Sequence, residues 1–396
     1  MRHDQGTNPA PFKGTPARGT NQSGMRAHNE RLVLSLIRNA GPQAKAEIAR
    51  ATGLSAQSVS VIMRSLEADG LLTKCDPVRG KVGQPSVPMR LATRGAFFLG
   101  LKVGRRSVEL VLIDFLGQVV ERAFETYAYP TPEAAISFVR ENLDAVLGTL
   151  DQSGRARVAG MGIAMPYFLW KWADFLGVPE QKMASWRHVD LRAEIAANLD
   201  FPVFVQNDAS AACGAELVFG PADRSRDFLY FYIGYFIGGG VVLNGAMFTG
   251  RGNAGAMGPL PVPSPNGALP LIEIASLSGL ESQLNAKGID TDHMWTEVDT
   301  WDFDTGILDQ WIAKAAQGLA SAIVAGASII DFGEVLIDGR IPADLRATLV
   351  DQVNDELDRR DWTGLSRPAV NQGTIGPDAR AIGAASMPLS ERFLVD

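Results

Sequence analysis

Gln57, Ser58, Ser60 and Arg64 fall within eight residues and carry the donors and acceptors that suit base edges and phosphate oxygens. Between them run Val59, Ile62, Met63 and Leu66, apolar at helical spacing. One helix with a buried stripe therefore turns its polar side chains outward. Ser55 stands where an N-cap belongs, its hydroxyl placed to accept an orphan backbone N–H. Gly53 closes the preceding helix, expected over Lys45–Ala51, because glycine takes the left-handed C-cap conformation without a Cβ penalty. Two short helices joined this way form a helix-turn-helix whose second helix enters the major groove. An ordinary helical hairpin in a core is the competing reading.

The neighbouring elements favour the groove reader. Upstream, Asn29–Asn39 forms a third amphipathic helix with Leu32, Leu36 and Ile37 on its apolar side, closed by Gly41-Pro42. Downstream, Leu71-Leu72-Thr73 and Val87-Pro88-Met89-Arg90 flank the basic loop Arg79–Pro85. Three helices and a hairpin with a basic tip make a winged helix-turn-helix, its wing lying along phosphates or the minor groove. The expected DNA contacts are Ser55, Gln57, Ser58, Ser60 and Arg64 from the helix, with Arg79, Lys81 and Gln84 from the wing. Charge agrees. Residues 1–94 hold 14 Lys/Arg against 6 Asp/Glu, a net of +8 in a chain of net −7, so the remainder carries −15. A basic head on an acidic body confines attraction for double-stranded DNA to the head.

The 396 residues exceed one average domain. No apolar run is long enough to span a membrane. Met1–Gly24, rich in Gly, Pro, Asn and Thr, lacks the apolar core of a signal peptide and reads as a disordered tail. The two cysteines, Cys75 and Cys213, lie in different expected domains, so neither a disulfide framework nor a thiolate zinc site is expected. A cytoplasmic location follows. The expected division is 1–24 tail, 25–92 winged helix and 93–396 body.

In the body, strands alternate with helices, which argues an α/β architecture. Strands are expected at Phe97–Val103, Val108–Asp114, Val158–Met165, Val203–Val205, Phe228–Ile233, Gly239–Leu243 and Glu334–Gly339, and Gly117 opens a turn into the three residues Gln118–Val120. Helices are expected over Thr131–Leu150, Ala209–Val218 and Leu308–Ile330.

The order of short motifs resembles the ROK family (repressor, open reading frame, kinase), in particular its regulators with an N-terminal winged helix. The hairpin Gly100–Asp114 is similar to the family's first phosphate loop, and Gly160–Pro166 to its G-I-G-I-A-x-P strand. Trp186 falls where the family has a Trp. Val205–Ala212 is similar to E-N-D-A-N-A-A, Gly234–Gly240 to G-T-G-I-G-G-G, and Asn253–Pro259 to G-A-G-E-I-G-H. The resemblance implies two actin-like lobes around a sugar-binding cleft, near residues 205–260, and a homodimer.

The departures decide the chemistry. Phosphoryl transfer needs a phosphate cradle, a metal-binding carboxylate and a base. Asp208 stands at the family's base position. The first loop, D-x-G-G-T in kinases, has Lys102, Gly104, Arg105 and Arg106 at those positions, and Phe236 replaces a glycine of the second. Asp208 is therefore read as a vestigial base, with no catalytic residue and no cofactor expected. Arg105 and Arg106 retain the means to attract an anion. The family's zinc site needs a His and several Cys, but Pro259 takes the His position and Pro263–Pro270 contains no Cys, so no metal is expected. Asn207, Asp208, Gly255 and Glu273 are the expected sugar contacts, although Ala256 replaces one family Glu and Glu273 sits one position from another. Tyr167, Trp170, Trp172 and Trp186 are aromatic faces for a sugar ring, or core residues.

The expected function is sequence-specific transcriptional regulation of sugar genes, in the sense of repression, with a sugar or sugar derivative as effector. An ATP-dependent sugar kinase with a fused DNA-binding head is the second reading, carried by Asp208 and the Gly234–Gly240 loop.

Overall fold

The computed structural model describes residues 22–77, 86–173, 177–265, 267–299, 301–303 and 305–395. The tail expected over residues 1–24 lies outside the described residues as far as residue 21, and its last three residues already belong to a helix.

Three helices open the chain: α1 (Gln22–Ala40), α2 (Lys45–Thr52) and α3 (Ala56–Ala68). Helix α1 begins seven residues before the expected Asn29. Its buried stripe is Val33, Leu34 and Ile37, so Leu32 and Leu36 are only its margins. Gly53 closes α2 in the left-handed region at φ 71°. Ser55 caps α3, its side chain accepting from the Ser58 backbone N–H. Val59, Ile62, Met63 and Leu66 are all buried, as their spacing requires. The wing is an antiparallel pair, β1 (Leu72–Lys74) with β2 (Met89–Leu91), in which Thr73 faces Arg90.

Two five-stranded sheets follow, with one topology used twice. The first runs β5-β4-β3-β6-β7: β3 (Phe97–Val103), β4 (Ser107–Ile113), β5 (Val119–Thr126), β6 (Val158–Ala164) and β7 (Val203–Gln206). The second, β10-β9-β8-β13-β14, is built from β8 (Phe228–Ile233), β9 (Gly238–Leu243), β10 (Ala246–Phe248), β13 (Glu334–Gly339) and β14 (Ala369–Gln372). In each, a three-stranded antiparallel meander is extended by two parallel strands on the side of its first strand. A hairpin, β11 (Pro261–Ser264) with β12 (Gly267–Pro270), stands apart. Strand β5 outruns the three residues that follow the Gly117 turn because it alternates exposure along its length and carries polar residues on its open face.

Helix α4 (Pro132–Gly148), capped by Thr131, covers the first sheet. Helix α5 (Asp208–Phe219) lies on β8 and β9 of the second. Helices α6 (Thr305–Ala327) and α7 (Ala343–Asp358) close the second lobe's core around Trp311, Leu319 and Leu349. Helix α6 sits three residues N-terminal of its expected span. The last helix, α8 (Ala379–Phe393), lies across β3 and β6 and against α5. It approaches so closely that a Cβ on Gly100 would come within 2.2 Å of the Ala381 carbonyl oxygen, and one on Gly162 within 1.8 Å of that of Ala384. Backbone therefore rests on backbone, and only glycine fits at both positions. Pro388 sits inside this helix.

The head and the first lobe share one core. Val33, Leu34, Ile37 and Leu66 of the head cluster with Phe98, Phe115, Ala381, Leu389 and Phe393 of the body. Phe393 meets Phe115 edge-on at 5.1 Å and Phe98 at 5.8 Å. Polar contacts reinforce the junction. Arg38 donates to the Phe115 carbonyl at 2.6 Å, Arg157 donates to Asp69 O at 2.9 Å and Gly95 O at 3.0 Å, and Val395 N donates to Ser35 Oγ at 3.0 Å. Among the described residues no helix is long and apolar enough to cross a membrane.

Candidate nucleic-acid interface and interlobe cleft

The outer face of α3 presents Ser55, Gln57, Ser58 and Arg64 to solvent, with Ser60 half-buried beside them. Their side chains are held locally. Ser55 Oγ and Ser58 Oγ are 2.9 Å apart, Arg64 Nε donates back to the Ser60 carbonyl at 3.1 Å, and Lys45 of α2 reaches Ser60 Oγ at 3.3 Å. Val61 is 46% exposed in the middle of this polar face, one turn after Gln57 and three residues before Arg64. Sequence reasoning passed over it, although the same helical spacing that placed Gln57 and Arg64 together includes it. An exposed methyl pair there suits the C5-methyl of thymine. The wing residues Arg79, Lys81 and Gln84 lie outside the described residues.

The cleft is formed where α5 and α8 meet beneath the two sheets. Asn207 caps α5, its Oδ1 accepting from Ala209 N at 3.1 Å and Ser210 N at 3.4 Å. Asp208 is the first residue of the helix. Its carboxylate accepts from Arg380 Nη1 at 3.2 Å, and both residues are more than nine-tenths buried. Arg380 belongs to the first turn of α8 and also lies over the Tyr232 ring at 4.9 Å. It was not singled out in the sequence. The signal available was its isolation, a lone charge in the small-residue run Ala379-Arg-Ala-Ile-Gly-Ala-Ala, which needs a buried partner.

The β3–β4 and β8–β9 turns occupy equivalent places in the two sheets and meet across the cleft. Arg105 of the first lies against Phe236 of the second at 4.3 Å and against Trp172 at 4.5 Å, while these two rings stack at 4.6 Å. Arg106 lies near the Tyr235 ring at 6.0 Å and pairs with Glu281 at 3.0 Å. Trp295 Nε1 donates to the same Glu281 oxygen at 2.9 Å. Behind the first turn, Lys102 Nζ donates to Ser107 Oγ at 2.9 Å and stands 3.7 Å from Glu109. Burial, reinforced by the Arg380 charge, pushes the Lys102 ammonium down to about 7. Burial likewise lowers the Arg105 guanidinium to about 10.

The remaining expected contacts disperse. Gly255 adopts φ 78°, and a Cβ there would meet the Gly240 backbone at 2.7 Å, so this glycine serves a close chain crossing. Glu273 is exposed on the short helix Leu271–Ala275, and no hydrogen bond or ion pair among the described residues joins it to Asn207 or Asp208. Trp186 is a core residue, its Nε1 donating to the Pro130 carbonyl at 3.0 Å. Of the four aromatic candidates, Trp172 reaches the Arg105 turn. The segment corresponding to the family's zinc ligands folds as the β11–β12 hairpin, and Pro259–Pro270 offers no thiolate, imidazole or carboxylate, so these residues do not fit that metal. Two cavities lie at the head–body junction: one of about 360 Å³ between Arg38, Arg90 and Phe219, another of about 220 Å³ between Gly70, Arg94 and Arg157.

A winged helix on a duplicated two-lobed body defines the class. Residues 98–390 match the ROK family model and residues 24–81 a MarR family model. The chain belongs to the ROK family. It is 27% identical to the protein y4fQ of Sinorhizobium fredii over 374 residues, 92% of this chain and 91% of that one. It is 25% identical to the xylose repressor of Bacillus subtilis over 238 residues, 60% of this chain and 61% of the repressor, so it spans less than two thirds of that protein. Among solved structures, a ROK family transcriptional regulator described as a homologue of the E. coli MLC protein superposes with a TM-score of 0.63 at 21% identity, over 93% of this chain and 98% of that one.

Proposed function

We propose that this protein is a sequence-specific DNA-binding regulator, a repressor in sense, whose grip on its operator is controlled by a sugar or sugar derivative in the interlobe cleft. The observation that carries the reading is the course of α8. Its first turn holds Arg380 on Asp208 in the cleft, and its last turn places Phe393 in the core that fixes the head. A ligand that alters the first contact acts on an element continuous with the second. It can shift the head only by as much as it prefers one arrangement over the other.

The domain division follows: a groove-reading head to about residue 92 and a ligand-binding body beyond it. Gln57, Val61 and Arg64 read bases, and Ser55, Ser58 and Ser60 position the helix. The wing residues Arg79, Lys81 and Gln84 track the backbone. A homodimer would present two heads to half-sites about 34 Å apart or a multiple of that. In the body, Asn207 and Asp208 meet the sugar hydroxyls. The kinase reading is disfavoured by the two turns that would cradle phosphate, where Arg105 and Phe236 stand in place of small residues. Release of ADP with any hexose, lost in Asp208→Asn, would reinstate it.

The test is selection of duplexes from a random pool by the full chain, followed by gel shift of the enriched sequence against a sugar panel. A palindromic winner released by one sugar class is the expected result. A pool with no enrichment overturns the reading.

A further inference from the structure

Among the described residues the cleft does not balance its own charge. Arg105, Arg106, Arg122, Arg340 and Arg380 bring five guanidinium groups to it, with Lys102 held down to about 7 beside them, against Glu109, Asp208, Glu281 and Asp378. Lys102 stands near Glu109, Arg106 pairs with Glu281 and Arg380 with Asp208. Arg340 is left with the Trp295 carbonyl. Arg105 is left with no hydrogen bond or ion pair to a described residue, although it is only 7% exposed. The rings of Trp172 and Phe236 contact its guanidinium but accept none of its in-plane N–H bonds. Nε of Arg105, Arg106 and Arg380 is in each case buried without an acceptor. A buried donor without a partner costs free energy, more so when it is charged, and marks a place where a partner is missing.

We propose that the effector is anionic: a sugar carrying a carboxylate or a phosphate, with the charged group on Arg105 and its hydroxyls toward Asp208 and Asn207. This deepens the reading of the cleft as a sugar site and rests on it. A neutral sugar offers only hydroxyl dipoles, which leave the surplus charge uncompensated. A carboxylate or phosphate both accepts the in-plane donors and neutralises the charge. Asp208 and Arg380 are the charged groups that act on the Arg105 guanidinium.

Binding also has a proton signature. Lys102 faces Ser107 and Glu109 of β4, the Phe124 ring of β5, Arg380 of α8, Arg340 after β13 and Asp208 of α5. An anion entering this surround favours its ammonium form, so near pH 7 the complex takes up protons.

The experiment is titration calorimetry on the full chain at pH 7 with glucose, glucuronate and glucose 6-phosphate, and with xylose, xylonate and xylose 5-phosphate. Inorganic phosphate and MgATP are separate arms, and each is run in two buffers of different ionisation heat. The expected result is an acid or a phosphate bound about tenfold to a hundredfold more tightly than its neutral parent, with proton uptake. The carboxylate and phosphate arms identify which group is received. Arg105→Gln should abolish the preference and Arg105→Lys retain part of it. Equal binding of the neutral parent, a preference that survives Arg105→Gln, binding of MgATP or inorganic phosphate alone, or silence across the panel would each overturn the proposal. If Arg105→Gln does not fold, the native chain decides, because an acid or phosphate bound no more tightly than its neutral parent sinks the idea as well. A selected duplex released by a neutral sugar and untouched by any anion removes this inference and leaves the regulator intact. Acid binding by a chain that selects no duplex does the reverse.

Discussion

The outer face of α3 and the floor of the cleft are both rich in polar side chains, and they are built in opposite ways. On α3 the polar groups lean on their own helix or on α2: Ser55 on Ser58, Arg64 on the Ser60 carbonyl, Lys45 on Ser60. They are exposed or half-buried, and water can replace each of these bonds. Exchanging them for contacts to DNA costs little. In the cleft the partners come from distant parts of the chain and are buried: Asp208 with Arg380, Arg106 with Glu281, Arg105 with Trp172 and Phe236. A ligand that takes one of these groups must displace another part of the protein. The first surface is suited to reading and the second to sensing.

The comparison can be broken at its link. Phe393→Ala should destabilise the whole chain by about 3–5 kcal/mol, because it leaves a hole in the core that head and body share. Chemical denaturation of the variant measures this, and a loss confined to the head would show that the shared core does not make one cooperative unit. Next in size, Gln57→Ala should weaken specific DNA binding by about 1–3 kcal/mol with an unchanged melting temperature. A weakening equal on specific and random duplexes would make Gln57 a backbone contact. For the cleft the lever is pH. With the Lys102 ammonium held down to about 7 in the folded chain against an ordinary value of 10.5, the unfolded chain binds more protons between these values. Stability from this group therefore rises with pH through that window, by at most about 1.4 kcal/mol per pH unit, and Lys102→Met should flatten the slope. A slope unchanged in the variant would assign it to another group. Smallest is Ser55→Ala, expected to cost about 1 kcal/mol through the lost cap, read by denaturation in the absence of DNA.

The same contrast explains what the sequence disclosed. Helices α2 and α3 were legible almost to the residue, because Gly53, Ser55 and the Val59–Leu66 stripe are local signals. Strands β3, β8 and β13 were equally plain as apolar runs between turns. The start of α1 was missed because Gln22–His28 holds no apolar period. Helix α5 was expected from Ala209 and begins one residue earlier, at Asp208, because Asn207 caps it. The cleft was legible as a place and illegible as a set of contacts. Arg105, Arg106, Phe236 and Asp208 were each singled out, yet Arg380 lies 172 residues from its partner Asp208, and Glu281 lies 175 from Arg106. Glu273, carried over by motif position, is exposed on its short helix, where the described contacts join it to neither Asn207 nor Asp208.

A proline inside a helix has no N–H to give. In α8 the carbonyl that would receive it, four residues earlier, is that of Ala384, the same oxygen that lies over Gly162. The shaft between cleft and head is therefore missing one tie, on the side where it bears on the sheet. Such a shaft bends at that point more readily than it stretches. Its two halves are fixed at their far ends, by Arg380 on Asp208 and by Phe393 in the core that head and body share, and Gly162 lies against it between them.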